Sequence, residues 1–188
     1  MGRTYAAIDD RLANTLRSQP VFFVASAPLS GEGLVNCSPK SNNGELAVID
    51  PNRIAYLDRT GSGVETIAHL RENGRIVLMF CAFEGQPRIV RIHGRGVVVG
   101  RDDEGFEAAW KAFPTDRLAG VRSIIVVSVH RIADSCGYGV PLMDFVAHRT
   151  HMAEWAARKG DDGIRRYWLA ENSESLDGLP GFPLNDRG

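Results

Sequence analysis

Short apolar runs and alternating apolar and polar positions dominate the chain between about residues 21 and 132, and this pattern predicts strands. The stretches RIVLMFCAF and RIVRIHGRGVVVG flank the turn EGQP and predict a long antiparallel hairpin. The glycines of HGRG, inside its second arm, predict a bulge or a close approach of another backbone. A further strand is predicted at 122–132. Adjacent antiparallel strands with few helices between them are typical of a barrel or a sandwich.

Helical spacing of apolar residues appears mainly at the two ends of the chain. A first helix is predicted from about Ile8 until Pro20 stops the pattern. Near the other end, HRTHMAEWAARKG and GIRRYWLAE form two helical patches. We therefore expect a barrel domain at residues 1–146 and a helical extension at residues 147–188, which packs on the barrel or on a dimer partner because it is too apolar for a free tail.

Composition narrows the possible partners and compartments. The 188 residues, 44% of them apolar, can bury one core, so a single domain is expected. The 22 basic and 23 acidic side chains give no global field that attracts nucleic acid or an acidic membrane, and neither partner is expected. The chain has no long apolar run for a membrane span or a signal peptide. Cys37, Cys81 and Cys136 lack metal-site or disulfide spacing, so we expect a reduced, cytoplasmic protein without a metal.

The stretch YLDRTGSGVETIAHLRENGRIVLMF at 56–80 contains a glycine-rich turn between a predicted strand and a short predicted helix. Ser62, followed three residues later by Glu65, predicts a capping box, and Gly74 predicts the end of the helix. The predicted helix therefore spans residues 63–73. We call the segment that leads into it, residues 58–63 (DRTGSG), the glycine corner.

Two interpretations of the glycine corner remain open at this point. It can be only a tight connection between strand and helix. Alternatively, its backbone N–H groups, the hydroxyls of Thr60 and Ser62 and the guanidinium of Arg59 can converge on a phosphate at the positive end of the helix. The carboxylate of Glu65 opposes an anion there, so a second cation is needed, and Lys40 is the candidate.

The segment LVNCSPKSNNGELAVI contains a second set of polar positions. Pro39 predicts an edge strand or the end of a strand, followed by a polar turn. Asn36, Ser38 and Lys40 alternate, so they share one face if the strand continues to Lys40. This face is either solvated or forms a hydrogen-bonding wall for a planar heterocycle.

The order of VFFVAS, VNCSPK, the 56–80 stretch and IHGRGVVV resembles the split-barrel flavin-binding proteins of the pyridoxamine 5'-phosphate oxidase-like superfamily, over residues 10–135. SCGYGVP at 135–141 is similar to a segment of one uncharacterised branch. The resemblance implies a mainly β protein, a six-stranded antiparallel split β-barrel with flanking helices. It also implies a homodimer that binds flavin mononucleotide (FMN) in clefts at its interface.

The resemblance further implies which residues contact the cofactor. One group would lie beside the isoalloxazine and ribityl parts: Asn36, Cys37, Ser38 and Lys40. The glycine corner and the following helix would hold the ribityl chain and the phosphate through Asp58, Arg59, Thr60, Gly61, Ser62, Gly63 and Thr66. We assign Lys40 to the N1 and O2 side of the ring, where a positive charge stabilises the reduced flavin.

The implied function is an FMN-dependent oxidoreductase that acts on an unidentified small molecule by hydride or electron transfer at flavin N5. The true oxidases have a basic C-terminal segment that grips pyridoxal phosphate, and the tail after Asp144 follows a different pattern, so oxidation of pyridoxamine phosphate is not expected. His148, Arg149 and His151 are interpreted as surface residues of a helix. Two alternatives remain: a reductase that uses a deazaflavin coenzyme, and a non-catalytic protein that binds flavin or haem. No catalytic residue is assigned.

Overall fold

An antiparallel sheet of eight strands organises residues 2–183, the part of the chain that the computed structural model describes. The strands are β1 (Thr4–Tyr5), β2 (Val21–Ser26), β3 (Asn36–Ser41), β4 (Leu46–Asp50), β5 (Arg53–Arg59), β6 (Arg75–Cys81), β7 (Ile89–Gly100) and β8 (Val121–Ser135). The helices are α1 (Asp10–Ser18), α2 (Glu65–Asn73), α3 (Phe106–Trp110) and α4 (His151–Glu171). The strand order is β3-β2-β6-β7-β8-β5-β4, and β1 pairs with β8.

The predicted mainly β split barrel with flanking helices is confirmed. The sheet has eight strands where the resemblance implies six, and the length of β8 explains part of the difference. This strand is 15 residues long, so one part of it pairs with β5 and another part pairs with the two-residue β1. Both β3 and β4 lie at the ends of the strand order.

The hairpin of β6 and β7 forms as predicted, and its second arm contains a bulge. The register of β7 against β8 shifts between His93 and Gly94. A side chain at Gly94 would collide with the carbonyl oxygen of Ser128, so only glycine fits this close approach. The predicted bulge at HGRG is therefore confirmed.

The main core lies between the sheet and the helices α1, α2 and α4. Alternate residues of β2 are buried, and among them Phe22 stacks on Phe80 and meets Tyr56 edge-on, with ring centroids 5.3 and 5.6 Å apart. Helix α1 contributes Leu12 and Leu16. These contacts are the apolar burial that the periodicity of the sequence predicts.

Helix α2 ends as predicted, but it begins differently. Gly74 ends it in the left-handed conformation, with a φ of 70°. The predicted capping box of Ser62 and Glu65 is wrong, because Glu65 is the first helical residue and Val64 takes the N-cap position without a side-chain hydrogen bond. The Val64 side chain is buried in the core, which fixes the chain at this point. The first turn of α2 therefore has no side-chain cap.

In the C-terminal extension, α4 contains both predicted helical patches except residues 148–150, and a break at Gly160 with a φ of 64° separates them. Ala156, Ile164 and Trp168 of α4 belong to the main core, and Trp168 packs edge-on against Phe182. Residues 184–188 of the predicted extension lie outside the described residues. No helix within residues 2–183 has both the length and the apolar content that crossing a membrane requires.

Candidate functional site

The polar strand β3 lies at one edge of the sheet and continues through Pro39, which pairs with Phe23 of β2. Of the two interpretations of Pro39, the edge strand is confirmed, and the strand continues to Ser41 instead of ending at the proline. Proline is tolerated here because an edge strand does not need every backbone N–H for the ladder. Lys40 is therefore part of the strand.

One face of β3 points towards helix α2 and strand β5. Asn36, Ser38 and Lys40 are half-buried on this face, as predicted. The side-chain amide of Asn36 donates to the Thr66 hydroxyl over 2.9 Å, and the Ser38 hydroxyl donates to the side-chain Oδ1 of Asn36 over 2.9 Å. The beginning of α2 and the polar face of β3 thus meet directly.

A buried ion cluster joins the same face of β3 to β5 and β8. The Asp58 carboxylate is fully buried and accepts from Lys40 Nζ at 3.1 Å and from Arg122 Nε at 2.6 Å. Burial by itself raises the pKa of Asp58, but the charges of Arg122 and Lys40 outweigh that effect and lower it to about 2. Two cations surround one carboxylate, so the cluster has one net positive charge.

Arg122 extends this cluster to the glycine corner. Its Nη2 donates to the carbonyl oxygen of Gly63 over 2.8 Å, while its Nη1 is buried without a hydrogen-bond partner in residues 2–183. The nearby Tyr56 hydroxyl is also buried and unpartnered, and its pKa is raised well above its usual value by burial and by the Asp58 charge. Arg122 was not among the site residues predicted from the sequence. The sequence did contain a signal, because Arg122 is the second residue of a long apolar strand, where a charged side chain is unusual.

The C-terminal segment contacts the glycine corner from the protein interior. The Trp168 indole N–H donates to the fully buried Thr60 hydroxyl over 2.8 Å. The Asn172 side-chain amide donates to the carbonyl oxygens of Gly61 and Ser62, at 2.9 and 3.3 Å. Neither Trp168 nor Asn172 was predicted to take part in the site.

The outer side of the glycine corner has free hydrogen-bond donors. Within residues 2–183, the backbone N–H groups of Gly61, Ser62 and Gly63 form no hydrogen bond, and Ser62 and Gly63 are exposed. The Glu65 side chain folds back towards them, with its Oε2 2.5 Å from the position of a Cβ added to Gly63. The Glu65 carboxylate is therefore close enough to the glycine corner to repel an anion bound there, as predicted.

Two predicted contact residues point elsewhere. The Arg59 guanidinium donates to Glu45 Oε1 and to the carbonyl oxygens of Ala119 and Arg117, at 2.7, 2.8 and 3.2 Å. Cys37 is exposed on the face of β3 opposite to Asn36. The remaining predicted residues gather around the junction of β3, β5 and α2: Asn36, Ser38, Lys40, Asp58, Thr60, Gly61, Ser62, Gly63 and Thr66.

A buried histidine that was not predicted as a site residue lies next to this junction. His69 of α2 is fully buried, with Nδ1 2.9 Å from the Ser26 hydroxyl and Nε2 3.7 Å from Asp177 Oδ2. The Asn36 amide also lies 3.4 Å from the Ser26 hydroxyl. His69 connects the polar face of β3 to the C-terminal loop, and no local sequence pattern indicated it.

A cavity of about 1040 Å³ lies between the end of α1, the end of β3 and residues 143–152. Its wall combines apolar side chains with the basic residues Arg17, Lys40, His148, Arg149 and His151 and the acidic residues Glu84 and Asp144. His148 Nδ1 lies 3.2 Å from the Ser41 hydroxyl. The interpretation of His148, Arg149 and His151 as residues of a helix is wrong for His148 and Arg149, because α4 begins only at His151. Arg149 and His151 are exposed, as predicted, and all three residues line the cavity.

Comparison with known proteins agrees with this architecture. Residues 8–136 match the sequence model of the family described as pyridoxamine 5'-phosphate oxidase. The pyridoxamine 5'-phosphate oxidase family protein ustO of Aspergillus flavus is 38% identical over 202 aligned positions, which cover 98% of this chain and 80% of that protein.

Solved structures show the same fold at lower sequence identity. A variant of HupZ from Group A Streptococcus aligns with a TM-score of 0.54 at 21% identity, covering 68% of this chain and 99% of that chain. A Clostridium acetobutylicum protein related to general stress protein 26 aligns with a TM-score of 0.50 at 11% identity, covering 67% and 86%. Since the family model matches more than half of the sequence, this chain belongs to the pyridoxamine 5'-phosphate oxidase family.

Proposed function

We propose that this protein is an FMN-dependent oxidoreductase that acts on a small molecule. The observation that carries the proposal is the contact between the two segments assigned to the cofactor. Lys40 of β3 lies 3.1 Å from Asp58 at the glycine corner, and Asn36 of β3 lies 2.9 Å from Thr66 of α2. Membership of the pyridoxamine 5'-phosphate oxidase family supports the same assignment.

The residues at this junction fit the phosphate end of a flavin nucleotide. Backbone N–H groups of the glycine corner are free on its exposed side, and the first turn of α2 has no side-chain cap. The cluster of Lys40, Asp58 and Arg122 adds one net positive charge behind the corner. Both features favour an anion.

The polar face of β3 fits the heterocyclic end. Asn36 and Ser38 provide amide and hydroxyl groups whose lone pairs and protons can be shared with ring nitrogens and carbonyl oxygens. Lys40 places a positive charge at the end of the same face, where it stabilises negative charge on the pyrimidine side of a flavin ring. Asp58 holds the Lys40 ammonium in place, so we assign Asp58 a positioning role. Bound FMN supplies hydride or electron transfer; the protein supplies orientation and electrostatics.

The large cavity is the proposed site of the small-molecule substrate. Lys40 lines this cavity and also belongs to the ion cluster at the cofactor junction, so the two regions share a residue. The wall has three cationic side chains, Arg17, Lys40 and Arg149, and two carboxylates, Glu84 and Asp144, and this balance favours an anionic group. Phe145 and Met143 favour apolar atoms. The substrate class that fits this wall is a small carboxylate or phosphate with an apolar body.

We further propose a homodimer with the cofactor cleft at its interface. The segment between β8 and α4 has several large apolar side chains in water: Tyr138 is 84%, Leu142 81% and Val146 92% exposed. Several exposed apolar side chains along one segment are typical of an interaction surface. A second copy of the chain would cover it.

Cofactor binding is the direct test. Purified protein is titrated with FMN and, separately, with the deazaflavin coenzyme, while tryptophan fluorescence is measured. We expect saturable FMN binding that weakens about tenfold or more in Lys40→Met, because a charge-assisted contact is lost. The exposed Lys111→Met is the control and should bind as the unchanged protein does. Tight deazaflavin binding without FMN binding would favour the deazaflavin reductase.

Turnover needs a second measurement. The FMN complex is mixed with reduced nicotinamide under anaerobic conditions, and the flavin absorbance is followed. Bleaching, followed by recovery of the colour with an electron acceptor, is expected of an oxidoreductase. A bound flavin that no donor reduces would favour the non-catalytic binding protein instead.

A further inference from the structure

Three consecutive carbonyl groups of the glycine corner are held from inside the protein. The Asn172 amide donates to the oxygens of Gly61 and Ser62, and Arg122 Nη2 donates to the oxygen of Gly63. Both donor side chains are almost completely buried, with 0% exposure for Asn172 and 3% for Arg122. These carbonyl groups therefore point towards the core.

The direction of the carbonyl groups fixes the direction of the neighbouring N–H groups. In a planar trans peptide, the C=O of one residue and the N–H of the next residue point in opposite directions. The N–H groups of Ser62, Gly63 and Val64 must then point away from the core, and none of them forms a hydrogen bond within residues 2–183. Successive N–H groups that point the same way form an anion-binding concavity.

A separate observation shows positive charge behind the same corner. Arg122 Nη1 is buried and has no partner among the described residues, although burying an unpartnered charged donor is costly. The guanidinium is planar and its Nη2 is fixed on the Gly63 carbonyl, so the free Nη1 lies on the inner, carbonyl side of the glycine corner. This donor belongs to a cluster with one net positive charge.

We propose that Asn172, together with Arg122, positions the N–H groups of residues 62–64 for the phosphate group of the bound cofactor. The C-terminal segment is then part of the cofactor site, although Asn172 itself touches only the back of the corner. Without the Asn172 amide, the carbonyl oxygens of Gly61 and Ser62 can turn outwards and present negative dipoles to the anion. This inference rests on the proposed FMN function.

The test compares ligands with and without a phosphate group. Dissociation constants of FMN and riboflavin are measured for the unchanged protein, for Asn172→Ala and for Asn73→Ala. Asn73 is a matched control, since its amide donates to the Ala27 carbonyl oxygen over 2.9 Å at the other end of α2. Thermal unfolding of each variant shows whether it is folded.

We expect Asn172→Ala to weaken FMN binding about tenfold, because the misdirected N–H groups lose hydrogen bonds to the charged phosphate. Riboflavin has no phosphate, so its binding should stay within about twofold. Asn73→Ala should change neither constant. An equal loss for both ligands in Asn172→Ala would show a merely structural role and overturn the proposal, as would unchanged FMN binding.

A measurement on the unchanged protein keeps the proposal testable if Asn172→Ala does not fold. Inorganic phosphate is titrated while backbone amide resonances are recorded by NMR. The amide signals of Ser62, Gly63 and Val64 should shift together and saturate, and the absence of shifts would overturn the proposal. If neither flavin binds but phosphate moves these signals, the FMN function fails while the anion site stands.

Discussion

Arg122 and Asp58 form a buried ion pair, with 2.6 Å between Nε and Oδ2. The pair lies behind the glycine corner, and Lys40 reaches the second carboxylate oxygen from the edge strand β3. Three separate strands, β3, β5 and β8, are therefore connected at one carboxylate. The same contact stabilises the fold and places positive charge at the proposed cofactor site.

Breaking this pair should destabilise the protein strongly. In Arg122→Met, the Asp58 carboxylate loses its closest partner in the interior, and we expect the free energy of unfolding to fall by about 3–5 kcal/mol. Urea denaturation followed by circular dichroism measures the change. Arg165→Met is the control, because it removes an ion pair with Asp102 in which both side chains are at least half exposed, and it should change stability little. Similar losses in both variants would contradict a special role of the buried pair.

Stability should depend on pH through Asp58. Its pKa in the folded protein is about 2, compared with an ordinary value of 3.8, so the folded state favours the ionised form. The stabilisation is therefore fully present above pH 3.8 and is lost as the pH falls towards 2, by a total of about 2 kcal/mol. Urea midpoints measured at decreasing pH should fall more steeply for the unchanged protein than for Asp58→Asn. Parallel curves in this window would refute the assignment.

Removing the negative charge of Glu65 should strengthen FMN binding. Its carboxylate lies beside Gly63, on the side of the corner where the phosphate is proposed to bind. In Glu65→Gln, we expect the FMN dissociation constant to fall about threefold, the effect of one charge at a helix N-terminus. Riboflavin binding should not change. The exposed Glu104→Gln has the same change in net charge and should bind FMN as before.

A side chain at the β7 bulge should destabilise the sheet. Gly94→Ala places a Cβ against the carbonyl oxygen of Ser128 in the neighbouring strand, so the backbone must shift, at a cost of about 1–3 kcal/mol. Gly139→Ala is the control, because a Cβ there meets no atom within 4 Å. Thermal unfolding of both variants compares them directly. A stable Gly94→Ala would mean that the two strands can separate at little cost.

Charged residues in the apolar segment between β8 and α4 should prevent dimerisation. We expect the double variant Leu142→Asp and Val146→Asp to be monomeric, as measured by light scattering after size-exclusion chromatography. Leu176 is also exposed, at 78%, but lies in the C-terminal loop, and Leu176→Asp should remain dimeric. A monomeric unchanged protein would refute the homodimer itself.

Local features were predictable from the sequence. The hairpin of β6 and β7, the end of α2 at Gly74 and the shared face of Asn36, Ser38 and Lys40 each follow from residues close together in the chain. Local patterns also explain the incorrect start predicted for α2. Ser62 and Glu65 have capping-box spacing, but burial of Val64 in the core decides where the helix begins.

The partners of the glycine corner were not predictable in this way. Arg122 is 64 residues from Asp58, Trp168 is 108 residues from Thr60, and Asn172 is 111 residues from Gly61. No periodicity connects such positions, and each contact depends on how the whole sheet and α4 come together. A single sequence therefore indicated the ligand-facing side of the corner but not the side chains that support it from behind.

The hydrogen bond between Trp168 and Thr60 has a consequence for synthesis of the protein. Its two residues are translated 108 residues apart. At the usual rate of about 5–20 residues per second, a nascent chain lacks its indole partner for about 5–20 seconds after Thr60 is made. During this interval the glycine corner of the nascent chain lacks this support, so the proposed cofactor site is complete only when translation is almost finished.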